Sequence, residues 1–111
     1  MEAALKAIAE PRRRQILRLV REGEMTAGEI ASHFEITRPA ISQHLTVLKE
    51  AGLVSERRDG TKRIYRFRPE GVEELRAFIE EMWTERLATL KDAAEREKRR
   101  RRGAGPVTGR R

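Results

Sequence analysis

The chain has 111 residues, of which 39% are charged and 38% hydrophobic, and it contains no cysteine. This length predicts one small domain, and the lack of cysteine excludes disulfides, zinc ribbons, iron–sulfur clusters and thiol nucleophiles. No apolar run approaches the ~20 residues that span a bilayer, and the first residues lack the pattern of a signal peptide. We therefore expect a soluble, cytoplasmic protein that has no membrane partner.

The net charge of +7 is unevenly distributed along the chain. Residues 1–37 carry six basic and six acidic side chains, whereas residues 38–68 carry eight and three. Residues 69–97 carry four basic and nine acidic side chains, and residues 98–111 carry seven basic and none acidic. Because Lys and Arg bind nucleic acids by displacing counterions from the phosphates, the basic middle segment predicts a face for a polyanion.

Apolar spacing predicts two helices at the start of the chain. Leu5 and Ile8 mark the first helix. The second begins at Pro11, which suits a first helical turn, and ends before Gly23. Its run Arg12–Arg14 forms either a solvated helix face or a set of phosphate contacts.

Capping signals predict two more helices. Thr26, followed three residues later by Glu29, is typical of a capping box at the start of a short third helix. Thr37 is an N-cap candidate for a fourth helix over Arg38–Ala51, and Gly52 is placed to end it.

The fourth helix is predicted to have one apolar and one polar face. Ile41, Leu45 and Leu48 share the apolar arc of a helical wheel, and His44 lies beside that arc, where it would pack or face a phosphate. The polar arc consists of Arg38, Ser42, Gln43, Thr46 and Lys49. We expect this arc, with Thr37 at the start of the helix, to contact DNA. Gln43 is then a candidate for an adenine contact, and Arg38 for a guanine or a phosphate.

Two short strands, Leu53–Arg57 and Arg63–Arg68, are predicted next, with Asp59-Gly60 indicating a hairpin turn between them. Basic residues stud this hairpin, and those singled out as DNA contacts are Arg57, Arg58, Lys62 and Arg63. They either protect an edge strand or bind phosphates, and their surplus over acidic residues favours phosphate binding.

A long helix is predicted from Val72 to about Glu97. Apolar residues recur along it at spacings of three and four, namely Leu75, Ile79, Met82, Trp83, Leu87 and Leu90. This stripe exceeds what one small core needs, which favours dimer or core packing over a ligand pocket. Residues 1–97 would then form one domain, and residues 98–111 a disordered basic tail that is either a solvated extension or a nonspecific hold on DNA.

The predicted order of elements is helix, helix, short helix, helix, hairpin and long helix. This order is typical of a winged helix-turn-helix, a mainly α fold with a small β-hairpin. The major groove of B-DNA, about 12 Å wide, admits one helix, and a neighbouring hairpin can reach the flanking backbone.

Three segments resemble the ArsR-type bacterial transcriptional repressors. They are Glu10-Pro-Arg-Arg-Arg-Gln-Ile-Leu, Met25-Thr-Ala-Gly-Glu-Ile-Ala, and the segment from Arg38 to Val54 that contains Ser-Gln-His-Leu and Ala-Gly-Leu-Val. The resemblance implies a homodimer whose first and last helices pair, which adds Leu5 and Ile8 to the dimer contacts. It also implies a fourth helix in the major groove and a wing on the backbone.

The metal-sensing patterns of that family are missing from this sequence. Thr26-Ala-Gly28 stands where metal-sensing members carry a Cys-x-Cys pair, and residues 72–97 contain no histidine. We expect no metal site and no cofactor, and the sequence does not identify an inducer. His33 is interpreted as a solvated residue at a helix end, since a metal site needs three or four convergent donors.

Three function classes follow from these patterns. The favoured one is a homodimeric, sequence-specific DNA-binding repressor that occludes a promoter. The alternative is a winged-helix module that binds RNA or a protein partner. An enzyme is disfavoured, because the sequence has no glycine-rich phosphate loop and no pairing of histidine with a nucleophile.

Overall fold

The computed structural model describes the backbone of residues 1–108 and the side chains of residues 1–102. The elements in chain order are α1 (Glu2–Ala9), α2 (Pro11–Glu22), β1 (Met25–Thr26), α3 (Ala27–Ala31), α4 (Arg38–Glu50), β2 (Val54–Asp59), β3 (Lys62–Phe67) and α5 (Pro69–Thr108). The chain divides into two units, Met1–Arg76 and a second that begins at Ala77. The first part of α5, Pro69–Arg76, therefore belongs to the first unit. The second unit begins with the next residue of the same helix.

Side-chain caps mark where α2 and α3 begin. The carboxylate of Glu10 accepts hydrogen bonds from the backbone N–H groups of Arg12 and Arg13 at the start of α2. Thr26 and Glu29 form the reciprocal bonds of the predicted capping box at α3, at 3.1 and 2.8 Å. Both caps satisfy N–H groups that have no partner inside a helix, and the sequence predicted the cap at Thr26 but not the one at Glu10.

Both ends of α4 agree with the sequence prediction. Thr37 Oγ1 accepts a hydrogen bond from the backbone N–H of Ala40 at 3.2 Å. At the other end Gly52 adopts a positive φ of 78°, and the N–H groups of Gly52 and Leu53 donate to carbonyls of the last helical turn, each at 3.0 Å. This Schellman arrangement needs a left-handed residue, which glycine adopts without steric cost.

The predicted hairpin is present, and a third strand joins it. β2 and β3 pair antiparallel from Val54↔Phe67 to Asp59↔Lys62, which leaves Gly60 and Thr61 as a two-residue turn. Gly60 has a φ of 65°, as the first central residue of a type II′ turn requires. β1, which the sequence analysis did not predict, pairs with the other side of β3, so the sheet order is β1-β3-β2.

The core of the first unit lies between its helices and the sheet. Its fully buried large side chains come from α2, α3, α4 and β2 and from the residue that precedes β2, namely Ile16, Ile30, Ile41, Leu45, Leu48, Leu53 and Val54. The predicted apolar arc of α4 is thereby confirmed. Burial of this row turns the polar arc of the same helix toward solvent.

α5 continues past Glu97, where the sequence analysis places its end. Arg100 and Arg101 pair with Glu97 one turn earlier, and Arg96 pairs with Asp92. Such pairs three or four residues apart stabilise a helix as far as Arg101. The helix itself extends to Thr108, whereas a disordered tail was expected from residue 98. The rest of that predicted tail, residues 109–111, lies outside the described residues. No helix in the described part of the chain is both long and apolar enough to cross a membrane.

Candidate nucleic-acid interface

The polar arc of α4 is an exposed surface. All five residues predicted there are solvent-exposed, and so is Thr37 at the start of the helix: Thr37, Arg38, Ser42, Gln43, Thr46 and Lys49. Thr46 Oγ1 donates to the carbonyl of Ser42 at 2.9 Å, which fixes that hydroxyl along the helix. Gln43 has no hydrogen-bond partner within residues 1–102, so its amide can pair with an external group.

The four basic residues predicted on the hairpin are also exposed: Arg57, Arg58, Lys62 and Arg63. They differ in how their charge is balanced. Arg57 donates to Glu24 at 2.7 Å, and Arg63 lies 3.7 Å from Glu56. Arg58 and Lys62 form no ion pair with any side chain of residues 1–102, so their charges are available to an external anion.

A cleft brings the two predicted sets of DNA contacts together. It has a volume of about 410 Å³ and is lined by the start of α3, the first turns of α4 and the hairpin. The polar side chains in its wall are Thr26, Arg38, Ser42, Thr61, Lys62, Arg63 and Tyr65. Three of these are cationic and none is acidic, so the cleft attracts an anion. Arg38 and Lys62 are 24 positions apart in the sequence, and only the fold makes them neighbours of one cleft.

Glu56 is a central residue of this surface that the sequence analysis missed. Its carboxylate accepts a hydrogen bond from the Tyr65 hydroxyl at 2.6 Å and lies 3.7 Å from the charged nitrogens of both Lys49 and Arg63. The Tyr65 bond, with the two cations, holds the pKa of Glu56 below its usual range despite partial desolvation. Burial and the neighbouring carboxylate raise the pKa of Tyr65 to about 12. Glu56 is therefore ionised and Tyr65 protonated at neutral pH.

Two of the three arginines at the start of α2 hold α1 in place. Arg13 Nε donates to the carbonyl of Ala7 at 2.7 Å, and Arg14 Nη1 donates to that of Ile8 at 2.7 Å. The last carbonyls of a helix have no partner inside the helix, and these guanidinium groups supply one. Arg12 remains exposed, so the choice between a solvated face and a phosphate contact stays open for that residue alone.

His44 lies on α4 beside this cluster. Its Nδ1 is 3.2 Å from Arg13 Nη1. Because a guanidinium can only donate, this hydrogen bond requires an unprotonated Nδ1. Desolvation lowers the pKa of His44, and the attraction of Glu10 only partly opposes that effect. The prediction that His44 packs beside the apolar arc agrees with its partial burial.

The second unit presents a row of exposed apolar side chains. Five of the six residues predicted as dimer contacts on α5 are between 46% and 61% exposed: Ile79, Met82, Trp83, Leu87 and Leu90. Leu75 departs from that prediction. It is only 5% exposed and belongs to the core of the first unit, because it lies on the segment of α5 that packs there. Leu5 and Ile8 on α1 are partly buried against the same core.

Metal ligands do not cluster in the part of the chain that the structure describes. No three His, Asp or Glu side chains among those residues lie close enough together to hold a metal ion.

Comparison with known proteins identifies the family. Residues 10–56, which span α2 to the middle of β2, match the model of the bacterial regulatory proteins of the arsR family. The HTH-type transcriptional regulator Rv2034 of Mycobacterium tuberculosis is 41% identical over 86 residues, covering 78% of this chain and 80% of that protein. The transcriptional repressor SdpR of Bacillus subtilis is 52% identical over 60 residues, covering 54% of this chain and 67% of that protein.

A solved structure agrees with the fold as well as the sequence. The homodimeric winged helix-turn-helix DNA-binding domain of a possible ArsR-family transcriptional regulator from Mycobacterium bovis has a TM-score of 0.61 and 37% identity. The likeness covers 78% of this chain and 80% of that one. The predicted fold class is thereby confirmed, with α3 and α4 as the helix-turn-helix and β2 and β3 as the wing. This chain belongs to the ArsR family of bacterial regulatory proteins.

Proposed function

We propose that this protein is a homodimeric, sequence-specific DNA-binding repressor that blocks transcription by occupying a promoter. The observation that carries the proposal is the continuous exposed surface formed by the polar arc of α4, the hairpin cations and the cleft between them. α4 is a single helix of 13 residues with its apolar side buried, a size and presentation that fit one major groove. Because a bacterial promoter lies in the cytoplasm, the protein would act there.

Two kinds of contact would divide the work on this surface. Gln43 presents a carbonyl and an amino group, the pair that reads adenine in the major groove, whereas Arg38 can reach a guanine or a phosphate. Arg58 and Lys62 carry unbalanced charges at the turn of the hairpin and would bind phosphates, which positions the protein but reads no sequence. The cleft would hold the backbone of the strand that passes between α4 and the hairpin.

The dimer part of the proposal rests on the second unit. A row of large apolar side chains with about half of its surface in water is costly, because apolar area contributes about 25 cal/mol per Å² when it is removed from water. A second copy of the same helix would cover this row, and Leu5 and Ile8 of α1 are further candidates for dimer contacts. A two-fold dimer sets two α4 helices on one duplex and predicts a near-palindromic site.

Regulation by metal is not part of the proposal. The described residues offer no metal-binding cluster, so we expect DNA binding to be indifferent to divalent cations. Release of the promoter would then depend on an inducer or partner that the fold does not identify.

The test compares two variants on two DNAs. Wild-type protein is first used to select duplexes from a random pool, and the selected duplex and a scrambled one are then titrated at several salt concentrations. Gln43→Ala should weaken binding to the selected duplex by about 1–3 kcal/mol and leave binding to scrambled DNA almost unchanged. Lys62→Ala should weaken binding to both duplexes equally. It should also reduce the salt slope, which is the fall in log affinity with log salt concentration, by about one.

Three outcomes contradict this proposal. Equal losses on both DNAs for Gln43→Ala would remove the assignment of Gln43 as a base-reading residue. Wild-type binding that is weak and equal on all duplexes, with tighter binding to a single-stranded or folded RNA of the same sequence, would move the function to RNA. Loss of binding to the selected duplex when divalent metal is added would show that the protein responds to metal.

A further inference from the structure

We propose that Glu56 limits the electrostatic affinity of this protein for DNA, because its carboxylate holds Lys49 and Arg63 back from phosphates. This inference rests on the proposed DNA-binding function. It adds to that function an acidic residue that opposes the attraction between the protein and any duplex.

The position of Glu56 carries the argument. It lies on β2 between a cation of the recognition helix, Lys49, and a cation of the neighbouring strand, Arg63, with 3.7 Å from its carboxylate oxygens to the charged nitrogen of each. Its side chain is only 19% exposed, whereas those of Lys49 and Arg63 are 43% and 53% exposed. The carboxylate is thus the more buried partner of both ion pairs, and the two cations are the more exposed partners.

Tyr65 holds that carboxylate by a hydrogen bond. The phenol is nearly buried and donates to Glu56 Oε2 at 2.6 Å, across the directly paired positions Glu56↔Tyr65 of β2 and β3. A hydroxyl donor stabilises the ionised carboxylate, so Glu56 stays charged even when phosphates approach. Because Glu56 and Tyr65 are directly paired in the sheet, the strand register places the phenol beside the carboxylate.

The consequence for DNA binding follows from the origin of its electrostatic part. Cations strengthen binding by displacing counterions from phosphates, and a cation that is already balanced by a carboxylate displaces fewer. Phosphate contacts form on selected and scrambled DNA alike, so a charge that opposes them weakens binding to both. Removing the charge of Glu56 should therefore strengthen binding to both duplexes.

The main variant is Glu56→Gln, whose amide oxygen can still accept from Tyr65 while the charge is lost. On scrambled DNA at low salt, we expect binding to tighten by roughly three- to tenfold, because two exposed cations are released. The salt slope should steepen by up to about 1.8, or about 0.9 for each of two further phosphates. Binding to the selected duplex should tighten by a similar factor, so the ratio of the two affinities should change little.

Two further variants separate this effect from simpler ones. Glu73→Gln removes the same charge from the exposed pair that Glu73 forms with Arg76 on α5, and should leave the affinity for either duplex and the salt slope unchanged. Tyr65→Phe removes the hydrogen bond and keeps the carboxylate with both cations, so it should preserve most of the wild-type slope. A steeper slope for Glu73→Gln would mean that net charge alone explains the result and would overturn the proposal.

A separate measurement does not require Glu56→Gln to fold. If Glu56 restrains Lys49, then Lys49→Gln should change the salt slope on scrambled DNA much less than Lys62→Gln does, which should lower it by about 0.9. Equal reductions for these two variants would contradict the proposal.

The proposed function and this inference fail in different ways. A wild-type protein that does not distinguish selected from scrambled DNA would refute the function itself. A wild-type protein that distinguishes them, together with a folded Glu56→Gln variant of unchanged affinity and salt slope, would refute only the role of Glu56.

Discussion

The two units of the chain treat their apolar side chains in opposite ways. In Met1–Arg76, large residues such as Ile16, Ile41 and Leu45 have no exposed surface at all. In the unit that begins at Ala77, Trp83 is 61% exposed and its apolar neighbours on α5 are about half exposed. The first unit therefore has an internal core that can hold its shape, whereas the second gains burial only from something outside its own helix.

Two stretches of the chain also differ in charge, and the boundary between them is not that of the two units. Residues 38–68, which contain α4 and the hairpin, carry eight basic and three acidic side chains, and residues 69–97 carry four and nine. A polyanion is attracted to the former and repelled by the latter. Residues 38–68 all lie in the first unit, which is therefore the unit that we propose binds DNA. The apolar row of the second unit is the surface that we propose binds another copy of the chain.

The largest expected effect comes from the core of the first unit. Leu45→Ala removes a fully buried side chain of α4 and should lower the free energy of unfolding by about 2–5 kcal/mol. Urea unfolding followed by circular dichroism measures the loss. Thr46→Ala, on the exposed side of the same helix, is the matched control and should stay within about 0.5 kcal/mol of the wild type. Similar losses for both variants would contradict the assignment of Leu45 to a tightly packed core.

The next effect concerns the second unit. Trp83→Ala should raise the dissociation constant for self-association at least about tenfold, since a large central aromatic side chain of an interface often contributes 2 kcal/mol or more. Sedimentation equilibrium measures it. Trp83 is also the sole tryptophan, so the fluorescence of the wild type should shift to shorter wavelength as protein concentration rises.

The control for this variant is Thr84→Ala, the exposed polar neighbour of Trp83 on α5, which should leave self-association unchanged. A wild-type protein that remains monomeric at high concentration, with unshifted tryptophan emission, would contradict the proposal that the exposed row binds a second copy. The exposed row would then have to serve a different partner.

Features set by neighbouring residues were predictable from the sequence. The capping box of Thr26 and Glu29, the N-cap at Thr37 and the left-handed Gly52 each depend on a few consecutive residues. The apolar arc of α4 was predictable because its spacing follows the helical period. β1 was not, since two residues carry no periodic signal and their pairing with Ile64 and Tyr65 depends on residues about 40 positions away.

The candidate site shows the same limit. The exposed residues of α4 and of the hairpin follow from local pattern, and Arg38 and Lys62 were predicted as separate contacts. The role of Glu56 was hidden, because its neighbours in the sequence give no sign that Lys49 and Arg63 approach it in the fold. Leu75 was predicted as a dimer contact but packs in the core of the first unit. The sequence could not show this, because the helical period is the same for a residue that packs in the core and for one that faces solvent.

The smallest expected effect concerns the first unit alone and is the pH dependence of its stability. The ordinary pKa of a histidine is 6.5, and desolvation lowers that of His44 in the folded protein. Between the two values the unfolded chain binds more protons than the folded one, so the free energy of unfolding falls as the pH is lowered below about 6.5. Protonating Nδ1 also removes the hydrogen bond from Arg13.

His44→Gln should flatten this dependence, because the amide does not titrate. Urea unfolding of the wild type and the variant at a series of pH values between about 5 and 7.5 measures the difference. Glu10 is the nearest acidic group in this cluster, and its pKa is held below its usual value because the backbone N–H groups of Arg12 and Arg13 outweigh its desolvation. Its titration therefore lies below this pH range. If both proteins lost stability in parallel as the pH fell, His44 would not be the titrating group, and another group of the first unit would account for the dependence.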